Sequence, residues 1–129
     1  MTVDNEISSP LPRILVADDS RIVRATIKKH LTGVFEIIEA CDGEEAWTML
    51  QGEPDVKVLI SDLGMPNLDG FGLLQRVRSC DNAQIRKLPF IVISGEEEEE
   101  IKLKAVELGA SDFITKSTDR TELIARVSA

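Results

Sequence analysis

Polar side chains suited to phosphate and metal chemistry recur where apolar runs stop. Asp18 and Asp19 follow Arg13-Ile14-Leu15-Val16-Ala17, and Asp62 follows Val56 to Ser61. Ser94 ends Pro89-Phe90-Ile91-Val92-Ile93, and Lys116 follows Ser111 to Thr115. Carboxylates that converge raise one another's pKa unless they share a cation. A hard divalent ion is the natural partner, and Mg2+ fits best because it takes one or two carboxylates, keeps waters and accepts a phosphate oxygen. An ammonium at the same edge pairs with a carboxylate or stabilises charge on a transferred phosphoryl group. A serine hydroxyl donates a hydrogen bond to an anion. Each feature alone has a plainer reading. Asp18-Asp19 would merely start a helix, Asp62 would cap a turn, and a strand-end lysine usually lies at the surface. Four such groups at four of five strand ends point to one site.

The elements that must position them read as strand and helix in alternation. Val56 to Ile60 is too apolar to have a wet face, which marks a parallel sheet covered on both sides. Arg13–Ala17 reads as a first buried strand. Ser20 caps a helix whose apolar positions Ile22, Val23, Ile27 and Leu31 follow helical spacing, and Gly33 stops it. Phe35 to Ala40 alternates and reads as a strand nearer an edge. Asp42-Gly43 turns the chain into a helix over Glu44 to Leu50, with Ala46, Trp47 and Leu50 inward, closed by Gly52 and Pro54. A helix from about Gly70 to Ser79 buries Phe71, Leu74 and Val77. Cys80 to Leu88 reads as a polar connection. Glu97 to Leu108 is a helix ending at Gly109, Ser111 to Thr115 a fifth strand, and Asp119 to Val127 a last helix. The Glu96–Glu100 run suits a helix start, where the macrodipole favours negative charge. Glu98–Lys102 and Glu100–Lys104 add i,i+4 pairs. This order predicts an α/β doubly wound parallel sheet of five strands with helices on both faces, whose ligands bind beyond the carboxyl ends of the strands.

Composition narrows the function. The 129 residues suffice for one domain. Residues 1–12 read as a flexible polar tail, and 13–129 as the domain. A net charge of −8 argues against a nucleic-acid surface, which needs a basic stripe. No apolar run approaches a membrane span and no signal peptide is visible, so the expected location is the cytosol. Cys41 and Cys80 lack metal-ligand spacing and read as buried structural thiols. His30 is the single histidine, which leaves no His-rich metal site.

The chain resembles the receiver domain of two-component response regulators over about Arg13 to Val127. The resemblance rests on Val16-Ala17-Asp18-Asp19-Ser20, on Asp62-Leu63-Gly64-Met65-Pro66-Asn67-Leu68-Asp69-Gly70, on Ile93-Ser94-Gly95, and on Gly109 to Lys116, all in the family's order and spacing. It implies the flavodoxin-like strand order 2-1-3-4-5. It implies that Asp62 accepts a phosphoryl group from a phosphohistidine on a sensor histidine kinase or phosphotransfer protein. Asp19, Asp62 and the Gly64 carbonyl would bind Mg2+, with Asp18 acting through water. Ser94 would hydrogen-bond the phosphoryl group, with Gly95 leaving the backbone open, and Lys116 would pair with Asp62 and then with the phosphate. Phe113 would be the aromatic switch, its plainer reading being a core aromatic. The implied protein is a signalling module that catalyses its own phosphorylation and slow hydrolysis, not a conventional enzyme. Its partners would be the kinase, an output domain or protein, and optionally a second copy of itself. The residues themselves leave two rivals: a receiver-like docking or dimerisation module independent of phosphate, and a flavodoxin-like cofactor binder. The first strand's Asp18-Asp19, in place of a Gly/Ser/Thr-rich loop, speaks against the second.

One position departs from the family pattern. Ser117 stands where proline is usual, and a cis bond before a non-proline residue costs roughly 2.5 to 4 kcal/mol. The expectation is a trans Lys116–Ser117 bond and an altered loop.

Overall fold

A computed structural model of the chain describes residues 11–53, 55–95 and 99–129. The elements are β1 (Arg13–Ala17), α1 (Arg21–Leu31), β2 (Glu36–Ala40), α2 (Gly43–Gly52), β3 (Val56–Asp62), α3 (Gly70–Arg78), α4 (Ala83–Arg86), β4 (Phe90–Ser94), α5 (Glu99–Glu107), β5 (Asp112–Thr115) and α6 (Arg120–Ser128). Five helices begin on a side chain that accepts an orphan backbone N–H: Ser20, Asp42, Asp69, Asn82 and Asp119. Gly33 and Gly109 follow α1 and α5 at φ 88° and 103°, a conformation costly for residues with a Cβ.

The sheet is parallel with strand order β2-β1-β3-β4-β5, the arrangement the resemblance implied. Its two faces build two cores. Ile14, Val16, Val58, Ile60, Ile91, Ile93 and Ile114 pack against Ile27 and Leu31 of α1 and Leu123 and Val127 of α6. Leu15, Ala17, Leu59, Phe90, Val92 and Phe113 pack against α2, α3 and Ala105 of α5. This two-sided burial is why residues 14–17, 58–60 and 90–93 are unbroken apolar runs. Ala17 pairs with Ser61 across β1 and β3. The next residues, Asp18 just past β1 and Asp62 at the end of β3, therefore stand side by side at the carboxyl edge.

Several expectations need correction. Ile22 lies on α1 but is 79% exposed, because helical spacing gives a face only within the arc the sheet covers. Phe71 is half-buried, and Leu73 takes the deep position on α3 beside Leu74 and Val77. Phe71 packs on the margin of the core under α3, and its ring also receives the Lys104 ammonium of α5, 4.4 Å from its centroid. Cys41 is exposed and Cys80 half-buried, since each stands just past the end of its element. The polar connection after α3 contains a further short helix, α4. The Lys116–Ser117 peptide is trans. Thr115 Oγ1 lies 3.1 Å from Ser117 Oγ and 3.3 Å from Thr118 Oγ1, which closes the loop with hydroxyl contacts. Residues 1–10 of the expected tail, Pro54, and Glu96 to Glu98, with the expected Glu98–Lys102 pair, lie outside the described residues.

Candidate functional site

Asp18, Asp19 and Asp62 converge at the carboxyl edge of the sheet. Each presents a carboxylate oxygen, and these atoms all lie within 4.8 Å of one another. Asp18 is fully buried, Asp62 nearly so, and Asp19 exposed. Lys116, at the end of β5, reaches back over the sheet. Its Nζ stands 3.3 Å from Asp18 Oδ2 and 3.3 Å from Asp62 Oδ1. The strand order accounts for this: β1 and β3 are central neighbours, and β5 is two strands away, within reach of a long side chain.

Each carboxylate is oriented locally. Asp18 Oδ1 accepts the Ser20 N–H at 2.8 Å, and Asp62 Oδ1 accepts the Leu63 N–H at 2.9 Å. Asp18 Oδ2 is buried and, among the described residues, no donor meets it with hydrogen-bond geometry. Its contact with Lys116 is an ion pair only. A buried, under-satisfied carboxylate oxygen between two other acids suits a hard divalent cation. Burial foremost, with the charge of Asp62 adding, pushes the Asp18 carboxyl above the ordinary carboxylate range, against the pull of Ser20 and Lys116. Burial would lower the Lys116 ammonium, but Asp18 and Asp62 outweigh it and raise the group above its usual value.

The loop after Asp62 is held from two sides. Gly70 N–H donates to Leu63 O at 2.9 Å. A Cβ on Gly70 would collide with the Asp62 carbonyl and stand 2.8 Å from Leu63 Cα, so only glycine lets α3 begin this close to the strand end. Asn67, at φ 67°, donates from Nδ2 to Asp42 Oδ2 at 2.8 Å, and Gly43 N–H donates to Leu68 O at 3.1 Å. The Glu45 N–H, and then Asn67, hold Asp42 below the ordinary carboxylate range. Gly64 is exposed in this loop, two residues beyond Asp62. Ser94 is half-buried at the end of β4, one residue past Ile93, which pairs with Asp62. Its carbonyl accepts the Lys116 N–H at 2.8 Å. Phe113 is buried in the core layer it shares with Ala105 of α5. Sequence reasoning missed the supports: Arg24, which grips the Asp18 carbonyl, and Asn67 with Asp42. The first crosses from α1 back to the end of β1 and the second joins segments far apart in the chain, so no local pattern announces them.

Comparison with known proteins decides the family. The response regulator receiver domain family matches residues 14–128. The chain belongs to this family. Chemotaxis protein CheY1 of Helicobacter pylori is 36% identical over 81% of the chain and 84% of its own length. Response regulator GtcR of Aneurinibacillus migulanus is 38% identical over 90% of the chain, and the chain spans 46% of GtcR. Among solved structures, Vibrio cholerae CheY4 superposes with a TM-score of 0.82 at 27% identity, covering 92% of this chain and 97% of its own. The CheX-CheY-BeF3-Mg complex of Borrelia burgdorferi gives 0.80 at 30% identity, covering 89% and 85%. This receiver domain is thus a two-component signalling module of the CheY-like fold, with an acidic cluster compatible with Mg2+. No helix among its described residues is long and apolar enough to cross a membrane.

The raised Asp18 pKa sets a direction. A carboxyl whose folded pKa exceeds its unfolded value, about 3.9, favours the fold most below that value, and the advantage is lost as pH rises through the folded pKa. Where Asp18 is ionised it therefore costs the metal-free receiver stability. Asp18→Asn is expected to raise metal-free stability by on the order of 1 kcal/mol and to weaken Mg2+ binding by roughly tenfold or more. Thermal melts with and without Mg2+ read both effects.

Proposed function

We propose that this receiver accepts a phosphoryl group on Asp62 from a phosphohistidine of a sensor histidine kinase or phosphotransfer protein. The observation that carries the reading is the geometry of one cluster: three acidic oxygens within 4.8 Å, with one ammonium 3.3 Å from both Asp18 and Asp62. In-line transfer needs a nucleophile and stabilised equatorial oxygens. An Asp62 oxygen attacks phosphorus, the O–P bond forms as the N–P bond of the donor breaks, and the imidazole leaves. Lys116 then shifts its pairing to the phosphoryl oxygens, and Ser94 donates its hydroxyl to them. Asp18, Asp19, Asp62 and the Gly64 carbonyl would hold Mg2+. Bound there, the ion would supply charge neutralisation for the phosphoryl oxygens. Water later hydrolyses the acyl phosphate, slowly, in the same site. Exposed Ile22 and half-buried Val23 line a shallow pocket that Lys116 also borders. A donor protein seats there.

Phosphorylation exchanges one negative charge for about two and adds three acceptor oxygens. Movement of Ser94 toward them draws on Phe113 and on the loop into α5. That helix is lightly held, with Ala105 its one buried residue among those described, so it is the element the switch displaces at least cost. The displaced face meets an output domain or protein, or a second copy of the chain.

Incubation with acetyl phosphate tests the reading by mass spectrometry. The expected result is one phosphoryl adduct that requires Mg2+ and disappears with a chelator. Protein that stays unmodified with the donor and Mg2+ both in excess would overturn it and favour a module that docks without phosphate.

A further inference from the structure

Asp18 is the point at which β1 becomes α1, and only Asp19 and Ser20 separate it from the helix. No glycine eases the bend. Asp18 is fully buried, so each of its polar backbone groups needs a partner. Its N–H donates to Ala40 O at 3.1 Å, and its carbonyl accepts from Arg24 Nη1 at 2.6 Å. Arg24 lies on α1, has a side chain only 15% exposed, and donates from Nε to Glu39 Oε1 on β2 at 3.0 Å. The guanidinium is thereby fixed to the edge strand while it holds the elbow. The fork of donors on a planar group makes this possible, whereas an ammonium offers one point charge.

We infer that Arg24, anchored by Glu39, is a positioning residue for the acidic cluster. It sets the Asp18–Asp19 peptide so that both carboxylates face Asp62. This rests on the phosphoacceptor reading above. Arg24 meets Asp18 at its backbone carbonyl, 2.6 Å from Nη1, so it acts through the backbone. Without it, the buried Asp18 carbonyl lacks that donor. The Asp18–Asp19 peptide then turns toward water and carries Asp19 away from its neighbours. Partners that orient metal ligands typically change affinity 10- to 100-fold when removed.

Mg2+ titration of the folded protein by calorimetry tests this, alongside melts in chelator. Arg24→Gln is expected to weaken Mg2+ binding by about tenfold, and Arg24→Lys to recover part of the loss. Glu39→Gln, which leaves Arg24 in place without its anchor, gives a smaller loss in the same direction and serves if the Arg24 variants fail to fold. Arg13→Gln is the control, because Arg13 bridges Glu36 and Glu53 at the opposite edge of the sheet; it is expected to bind Mg2+ as wild type does. Wild-type affinity in Arg24→Gln, or equal losses in Arg24→Gln and Arg13→Gln at equal melting temperature, would overturn the inference alone. A wild type that binds no Mg2+ would overturn the phosphoacceptor reading and this inference with it.

Discussion

Asp62→Asn is expected to reduce phosphoryl incorporation from acetyl phosphate to background, a loss of at least about a thousandfold. The amide nitrogen that replaces one oxygen is not a nucleophile, and no other group takes its place. Asp18 is fully buried beneath the mouth, its Oδ1 occupied by Ser20. Asp19 is exposed and carries no Lys116 contact among those described. The fold should survive the change. Asparagine keeps an Oδ1 able to accept the Leu63 N–H that Asp62 now accepts at 2.9 Å. It also removes one of three clustered negative charges, which favours the metal-free protein. A phosphodonor assay beside a thermal melt separates lost chemistry from lost structure. Undiminished labelling in Asp62→Asn would remove Asp62 as acceptor.

Lys116→Met should have two effects that Mg2+ tells apart. Lys116 stands within 3.3 Å of two carboxylates, one of them fully buried. Removing one partner of a fully buried pair costs about 3–5 kcal/mol. Lys116 retains some contact with water, so a metal-free loss of roughly 2 kcal/mol is expected. Asp18, already above the ordinary range, moves further upward. The variant should therefore regain stability as pH falls, and gain more from Mg2+ than wild type does. Phosphoryl transfer should fall by roughly 100- to 1,000-fold even at saturating Mg2+, because the donor aimed at the transferred group's oxygens is gone. Denaturant melts and labelling rates across a Mg2+ series read both. Equal labelling rates in Lys116→Met and wild type would remove Lys116 from the chemistry.

The acidic site was legible because parallel strands expose their ends. Once Val56 to Ile60 reads as doubly covered, the residues just past each apolar run must gather at one edge. Asp18, Asp19, Asp62 and Lys116 gather there in the structure. Which strands are neighbours was a different matter. Periodicity does not encode the order β2-β1-β3-β4-β5, and it came from resemblance to a family. Orientation within helices was partly lost for the same reason. Spacing places Ile22 beside Val23 and Ile27, but Val23 packs on the core while Ile22, about 100° further round the helix, faces water. Phe71 does pack on the core, but at its half-buried margin, where Lys104 stands over the ring. The supports around the site were invisible for a stronger reason. Arg24 reaches a carbonyl six residues earlier and a glutamate on another strand. Asn67 reaches an aspartate 25 residues away. Such contacts exist only after the chain has folded.

The most direct measurement locates the phosphoryl group. Protein treated with acetyl phosphate and Mg2+ is reduced with borohydride, which converts an aspartyl phosphate to homoserine, and its peptides are sequenced by mass. The expected result is homoserine at position 62, absent when Mg2+ is chelated. Homoserine at Asp18 or Asp19 instead, or at position 62 to the same extent without any divalent ion, would contradict the account.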